Sequence, residues 1–130
     1  MDTLKISLST TYDGEPSHLQ IECLGDVIHD GELTKNLVIE HETDTSDLFE
    51  IKIRKTGKTK KIVDMNGTQE VIVESINLNG IDLKNKEFDL AQKYFSKAKK
   101  RNSQFILNNY LSYNHANVIC AHPIVVPSFD

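Results

Sequence analysis

Hydrophobic and polar residues alternate along most of this chain with a period of two, the spacing of strands that bury one face. Leu4, Ile6 and Leu8 alternate with Lys5, Ser7 and Ser9, which predicts a first strand. Leu19, Ile21 and Cys23 alternate with Gln20 and Glu22 in a second. Val27 and Ile28 begin a short third strand that ends at Asp30-Gly31, and a fourth runs from Asn36 to about His41, with Leu37 and Ile39 on one side and Val38 and Glu40 on the other. The most regular stretch lies between Ser46 and Leu83. There Phe49, Ile51 and Ile53 share one side of a strand and Glu50, Lys52 and Arg54 take the other. From Glu70 to Leu78 the same counting puts Ile72, Ile76 and Leu78 on one face and Val71 and Val73 on the opposite one. Ile81 and Leu83 resume the alternation beyond the turn pair Asn79-Gly80.

After Leu83 the period changes. Phe88, Ala91, Tyr94, Phe95 and Ala98 recur at helical spacing, which predicts a helix of about three turns over 88–100. Strands resume at Gln104, with Phe105 and Leu107 opposite Ile106. A last strand carries Val118, Cys120 and His122 and is closed by Pro123 and Pro127. Turn signals separate the segments: Tyr12-Asp13-Gly14-Glu15-Pro16, Gly25-Asp26 and Asn79-Gly80. Eight or nine short strands, turn signals roughly every 8–12 residues and at most one helix predict an all-β antiparallel sandwich or barrel rather than a βαβ fold.

At 130 residues the chain fits one domain, 1–130, large enough for a core without metal or disulfide staples. The net charge of −4 disfavours a general nucleic-acid binder. No apolar run approaches the roughly 20 residues that span a bilayer, so no membrane partner is expected. The first residues, MDTLKISLS, lack the pattern of a signal peptide. Cys23 and Cys120 each sit in a β-like run and are expected as reduced, buried thiols, although spacing leaves a cross-strand pairing open. Cys120 and His122 form no zinc site by themselves, since zinc takes about four ligands and no second pair is present.

Three blocks carry a family resemblance: Lys55-Thr56-Gly57-Lys58-Thr59 followed by Asn66-Gly67; Ile76-Asn77-Leu78-Asn79-Gly80-Ile81-Asp82-Leu83; and Tyr110 to Ile124. Pro16 to Glu22 and Asn36 to Glu40 fit the same pattern. Together they resemble small jelly-roll, carbohydrate-binding-module-like structural proteins of tailed phages. Where the closing motif of that family carries tryptophans, this chain has Tyr113 and Asn117. The resemblance implies an antiparallel jelly-roll β-sandwich in which 88–104 is a long loop holding one short helix or helical turn. It also implies a non-enzymatic, virion-associated decoration or fibre component, made in the host cytoplasm, that docks on other virion proteins. Host-surface glycans and self-association into a homo-oligomer are further partners it allows.

Candidate chemistry is sparse. There is no G-x-G-x-x-G, no P-loop and no nucleophile elbow, so no enzyme is expected. Tyr94, Tyr110 and Tyr113 offer ring faces to sugar C–H groups, and Asn109, Asn114 and Asn117 offer paired hydrogen bonds to sugar hydroxyls. This gives the alternative reading, a calcium-assisted carbohydrate-binding module, with Asp44 and Asp47 in the acidic loop 42–47 as the metal ligands. Calcium is the one cofactor that reading brings. His41 beside Asp44 and Asp47 is the nearest approach to an acid–base cluster, and Glu22 and Glu40, on outward positions of strands expected to be neighbours, are the nearest to a hydrolytic carboxylate pair. The basic run Lys52, Arg54, Lys55, Lys58, Lys60, Lys61 would hold phosphates or an acidic glycan, or protect a hairpin edge from pairing; no aromatics are interleaved with it to stack nucleic-acid bases.

Overall fold

In the computed structural model the described residues are 2–10, 17–33, 35–43, 50–56, 70–96, 103–108 and 122–126, with Tyr94, Asn108 and 122–126 described by backbone alone. They form nine strands and one helix: β1 (Asp2–Ser9), β2 (Ser17–Cys23), β3 (Asp26–Leu33), β4 (Asn36–Thr43), β5 (Glu50–Thr56), β6 (Ile72–Leu78), β7 (Ile81–Asp82), α1 (Lys86–Ser96), β8 (Ser103–Asn108) and β9 (His122–Val126). Two antiparallel sheets result, sheet A in the order β4-β1-β6-β7 and sheet B in the order β3-β2-β5-β8-β9.

The connectivity is that of a jelly roll. The chain makes three bent arms, β1 into β2, β3 into β4 and β5 into β6, each passing from one sheet to the other. The second and third arms run antiparallel to the first and flank it in both sheets, giving β4-β1-β6 in one and β3-β2-β5 in the other. The predicted antiparallel sandwich is therefore what forms.

Alternation sets which face is inside. Leu4, Ile6 and Leu8 of β1, Leu19, Ile21 and Cys23 of β2, Ile51 and Ile53 of β5, and Phe105 and Leu107 of β8 all lie in one buried cluster. Each such side chain contributes about 1.5–3 kcal/mol, so a one-residue slip in β1 would expose three of them at once. In β6 the count is broken. Ser7 pairs with Ser75 but Leu8 pairs with Val73, so Glu74 is the extra residue of a β-bulge. The bulge reverses the phase: Val71 and Val73 are buried before it, Ile76 and Leu78 after it. Ile72, which straight alternation places with Ile76, turns to the other side and is half-buried.

Three strand limits also differ from the sequence pattern. β3 does not stop at Asp30-Gly31 but continues to Leu33, whose side chain is buried. β9 is not closed by Pro123; it includes it, opposite Leu107. Because β9 is the edge of sheet B, the missing proline N–H need not reach a further strand. Ile81 does not rejoin the core: it is exposed, while Leu83 beyond it is buried. The turn between β6 and β7 is as expected, with Asn79 and Gly80 both at positive φ (53° and 81°), the two left-handed residues of a type I′ hairpin. Asn79 also ties this turn to β1, its Oδ1 accepting from Thr3 N–H at 2.9 Å.

The segment after β7 is a helix of 11 residues, beginning two residues earlier than the periodicity suggests. Asn85 is its N-cap, with Oδ1 accepting from Phe88 N–H at 2.8 Å, and Glu87 and Asp89 in the first turn suit the positive end of the helix dipole. Phe88, Ala91 and Phe95 face inward at i, i+3 and i+7. The rings of Phe88 and Phe95 stand 5.4 and 5.8 Å from that of Phe105. Since α1 packs on β6 of sheet A and on β8 and β9 of sheet B, it bridges the two sheets.

Candidate functional site

The outer face of sheet B gathers a row of hydrogen-bonding side chains. Its inner positions are mostly apolar and buried, so the intervening residues of β2, β5 and β8 point outward: His18, Gln20 and Glu22, then Glu50, Lys52, Arg54 and Thr56, then Gln104 and Ile106. Pairing aligns them in rows. Gln20 lies opposite Arg54, and Arg54 opposite Gln104; Glu22 lies opposite Lys52, and Lys52 opposite Ile106.

Arg54 is the centre of this surface. Its Nε donates to Gln104 Oε1 at 2.6 Å, and its Nη1 lies 3.8 Å from Glu22 Oε1. Gln104 is buried despite its outward position, so its amide helps to orient the guanidinium of a side chain that is 33% exposed. Lys52 Nζ lies 3.6 Å from Glu50 Oε1 on the same strand. At the β3 side of the face, His18 Nε2 contacts Asp30 Oδ1, a pair charged on both sides only when the imidazole is protonated. The result is a half-exposed surface of amide, carboxylate, guanidinium and imidazole groups, several held by their neighbours.

The residues singled out in the sequence fare unevenly. Glu22 and Glu40 are not neighbours: Glu22 belongs to β2 of sheet B and Glu40 to β4 of sheet A, so the sandwich separates the supposed carboxylate pair. Lys55 is not part of a basic surface. It is 1% exposed and points into the sandwich, with Nζ donating to the Phe95 carbonyl at 3.2 Å. Lys52 and Arg54 do lie on the outer face, whereas Lys58, Lys60 and Lys61 lie outside the described residues. Tyr94 occupies the last turn of α1. Tyr110, Tyr113, Asn114, Asn109 and Asn117, the metal candidates Asp44 and Asp47, and Cys120 all lie outside the described residues.

Among the described residues no three His, Cys, Asp or Glu side chains converge to hold a metal ion, so no calcium site is built there. No helix in them is long and apolar enough to cross a membrane. Cys23 is a free, buried thiol; burial pushes its pKa up, a contact to Thr43 Oγ1 at 3.8 Å works the other way, and Asp26 adds a smaller upward push. Arg54 with Gln20, Glu22 and Gln104 went unnoticed in the sequence as a group. Each occupies an ordinary outward position, and only the strand order β2-β5-β8 brings them together.

No family model matches the chain, and no curated protein matches it. Among solved structures it is similar to the selenomethionine form of vCBM60, described in connection with two families of calcium-dependent carbohydrate binding modules. The identity is 15%, the match covers 65% of this chain and 62% of that one, and the TM-score is 0.43. A second similar structure is vCBM60 in complex with galactobiose, at 16% identity over 65% of this chain and 68% of that one, with a TM-score of 0.41. The chain thus spans a little under two thirds of the length of the first. Neither structure is described as a phage protein.

Proposed function

We propose that this chain is a non-catalytic binding module whose ligand is a carbohydrate, held on the outer face of sheet B around Arg54. The observation that carries this reading is the fixed guanidinium, oriented by Gln104 at 2.6 Å and flanked by Glu22 and Gln20. Sugar hydroxyls donate and accept in set directions, so they are best recognised by polar groups whose rotamers are settled before binding. A buried amide beside a partly exposed guanidinium meets that need.

The test is a glycan array probed with the wild-type chain and with Arg54→Gln, each in calcium and in chelator. Wild type should retain at least one glycan class, and Arg54→Gln should weaken it by about 10- to 100-fold, the worth of a hydrogen bond from a charged donor. Calcium dependence would assign a role to the acidic loop with Asp44 and Asp47. Absence of binding in both conditions removes the carbohydrate reading. Equal binding by Arg54→Gln moves the site off this face, toward Tyr110, Tyr113 and Asn114.

The virion-borne role rests on the sequence resemblance from Pro16 to Ile124 alone. Its test is co-purification with intact particles in a fixed copy number.

A further inference from the structure

The four edges of the two sheets are not protected alike. An open edge strand offers unpaired N–H and C=O groups to any passing strand, and proteins blunt such edges with short strands, prolines, bulges and charges. Edge β7 is two residues long. Edge β9 contains Pro123. Edge β3 is bulged, since Ile21 pairs with His29 but Glu22 with Val27, and it carries Asp26, Asp30, Glu32 and Gly31. Edge β4 carries Glu40 and Glu42 but is neither short nor bulged and has no proline. Its eight residues pair with β1 in unbroken register from Asn36 to Thr43, and Val38 on it is 57% exposed.

We propose that β4 is the docking edge for β4 of a second copy of this chain, so that two four-stranded sheets join into one. The orientation of the backbone restricts the register. Thr10 N–H donates to Lys35 O at 2.8 Å, one step beyond the β1–β4 ladder. Continuing the alternation turns the backbone groups of Leu37, Ile39 and His41 toward β1, and leaves those of Asn36, Val38, Glu40 and Glu42 at the edge. An antiparallel two-fold pairing that uses these groups and keeps inner and outer faces matched is centred on Ile39. Asn36 then lies opposite Glu42 of the partner copy and Val38 opposite its Glu40, each pair exchanging two backbone bonds.

The side chains complement one another in that register. The Asn36 amide faces a carboxylate, so it can donate to it, and this happens twice by symmetry. On the inner face Leu37 lies opposite His41 and Ile39 opposite itself. Leu37 and Ile39 already pack against the core but are only partly buried, and a second copy would complete their burial. No two like charges stand directly opposite. A register centred on Glu40 would place Glu40 against Glu40, which costs stability. The axis runs perpendicular to the sheet, so both copies of sheet B lie on the same side with their outer faces turned the same way. Two ligand-binding faces on one side would raise avidity for a multivalent surface. The dimer itself does not depend on the identity of that ligand.

The test is sedimentation equilibrium of the whole chain across a concentration series, for wild type, Val38→Pro and Asn36→Glu. Proline at Val38 removes a donor that faces the edge rather than β1, so the sandwich keeps its ladder while the docking pair is lost. Asn36→Glu sets carboxylates opposite Glu42 twice and should weaken the dimer about tenfold. The expected result is a wild-type dimer, a Val38→Pro monomer with unchanged circular dichroism, and amide exchange at Val38 and Glu40 that slows as wild-type concentration rises. A wild-type chain that stays monomeric at millimolar concentration overturns the proposal. So does a dimer that both variants leave intact, or association that continues past two copies. If Val38→Pro fails to fold, Asn36→Glu and the exchange data decide the matter.

Discussion

The ammonium of Lys55 donates to the backbone carbonyl of Phe95 at 3.2 Å and lies 5.2 Å from the centre of the same residue's ring. A strand of sheet B thereby holds the last turn of α1, where helix carbonyls lack partners within the helix and the dipole favours a cation. The lysine reaches there because it continues the inward series Ile51, Ile53, Lys55.

Lys55→Met keeps the apolar stem but removes the donor, leaving the Phe95 carbonyl buried without it. Stability should fall by about 1–3 kcal/mol, read as a lower urea midpoint at unchanged slope. Lys52→Met is the control. Lys52 points outward, is partly exposed and makes a 3.6 Å ion pair with Glu50, so its loss should change stability by no more than about 0.5 kcal/mol.

Ser103 stands directly opposite Lys55 on β8, fully buried, and its Oγ has no hydrogen-bond partner among the described residues. A buried hydroxyl without a partner costs free energy that alanine does not. Ser103→Ala should therefore leave the urea midpoint unchanged or raise it, by up to about 1 kcal/mol. A clear loss of stability would mean that the hydroxyl is bonded in solution, for example to a buried water.

The fold was legible wherever alternation ran unbroken. Leu4-Ile6-Leu8, Leu19-Ile21-Cys23, Ile51-Ile53 and Phe105-Leu107 each point inward as their period requires. It failed where a local event cut the period. The Glu74 bulge moved Ile72 out and Val73 in, and no residue type marks a bulge in advance. Lys55 was misread because its charge suggested solvent, although its parity with Ile51 and Ile53 already indicated the core. Pro123 reads as a strand end in the sequence because an edge position, where proline is tolerated, is a property of topology. The polar face around Arg54 was hidden for the same reason: Gln20, Arg54 and Gln104 are far apart in sequence and meet only through strand order.

Deleting Glu74 tests the bulge. Without it, Ser75 follows Val73 directly, and straight pairing with β1 keeps Val71, Val73, Ile76 and Leu78 all inside. The buried set is therefore kept, and what is lost is the local bend of the bulged strand and the contact of Glu74 with Ser9. The deletion variant should keep a cooperative thermal transition; a loss of cooperativity would mean that the sandwich needs the bend itself. Glu74→Ala keeps the extra residue and removes only the carboxylate that accepts from Ser9 Oγ, so it should unfold cooperatively with a modest drop in midpoint.

Cys23 gives the pH prediction. Burial raises its thiol pKa above the usual range, so the folded chain disfavours the thiolate relative to the unfolded chain. Below the ordinary thiol pKa both states carry the proton and the group leaves stability unchanged with pH. As pH rises past that value the unfolded state ionises first and is favoured, so the stability contributed by the neutral thiol is lost progressively until the raised folded pKa is passed. The slope is at most about 1.4 kcal/mol per pH unit. Measured in a Cys120→Ser background, the stability advantage over the further variant Cys23→Ala should shrink with increasing alkalinity, and alkylation of Cys23 at neutral pH should be slow and limited by unfolding. Rapid alkylation of the folded chain, or a difference from Cys23→Ala that does not change with pH, would show that the thiol is open to solvent.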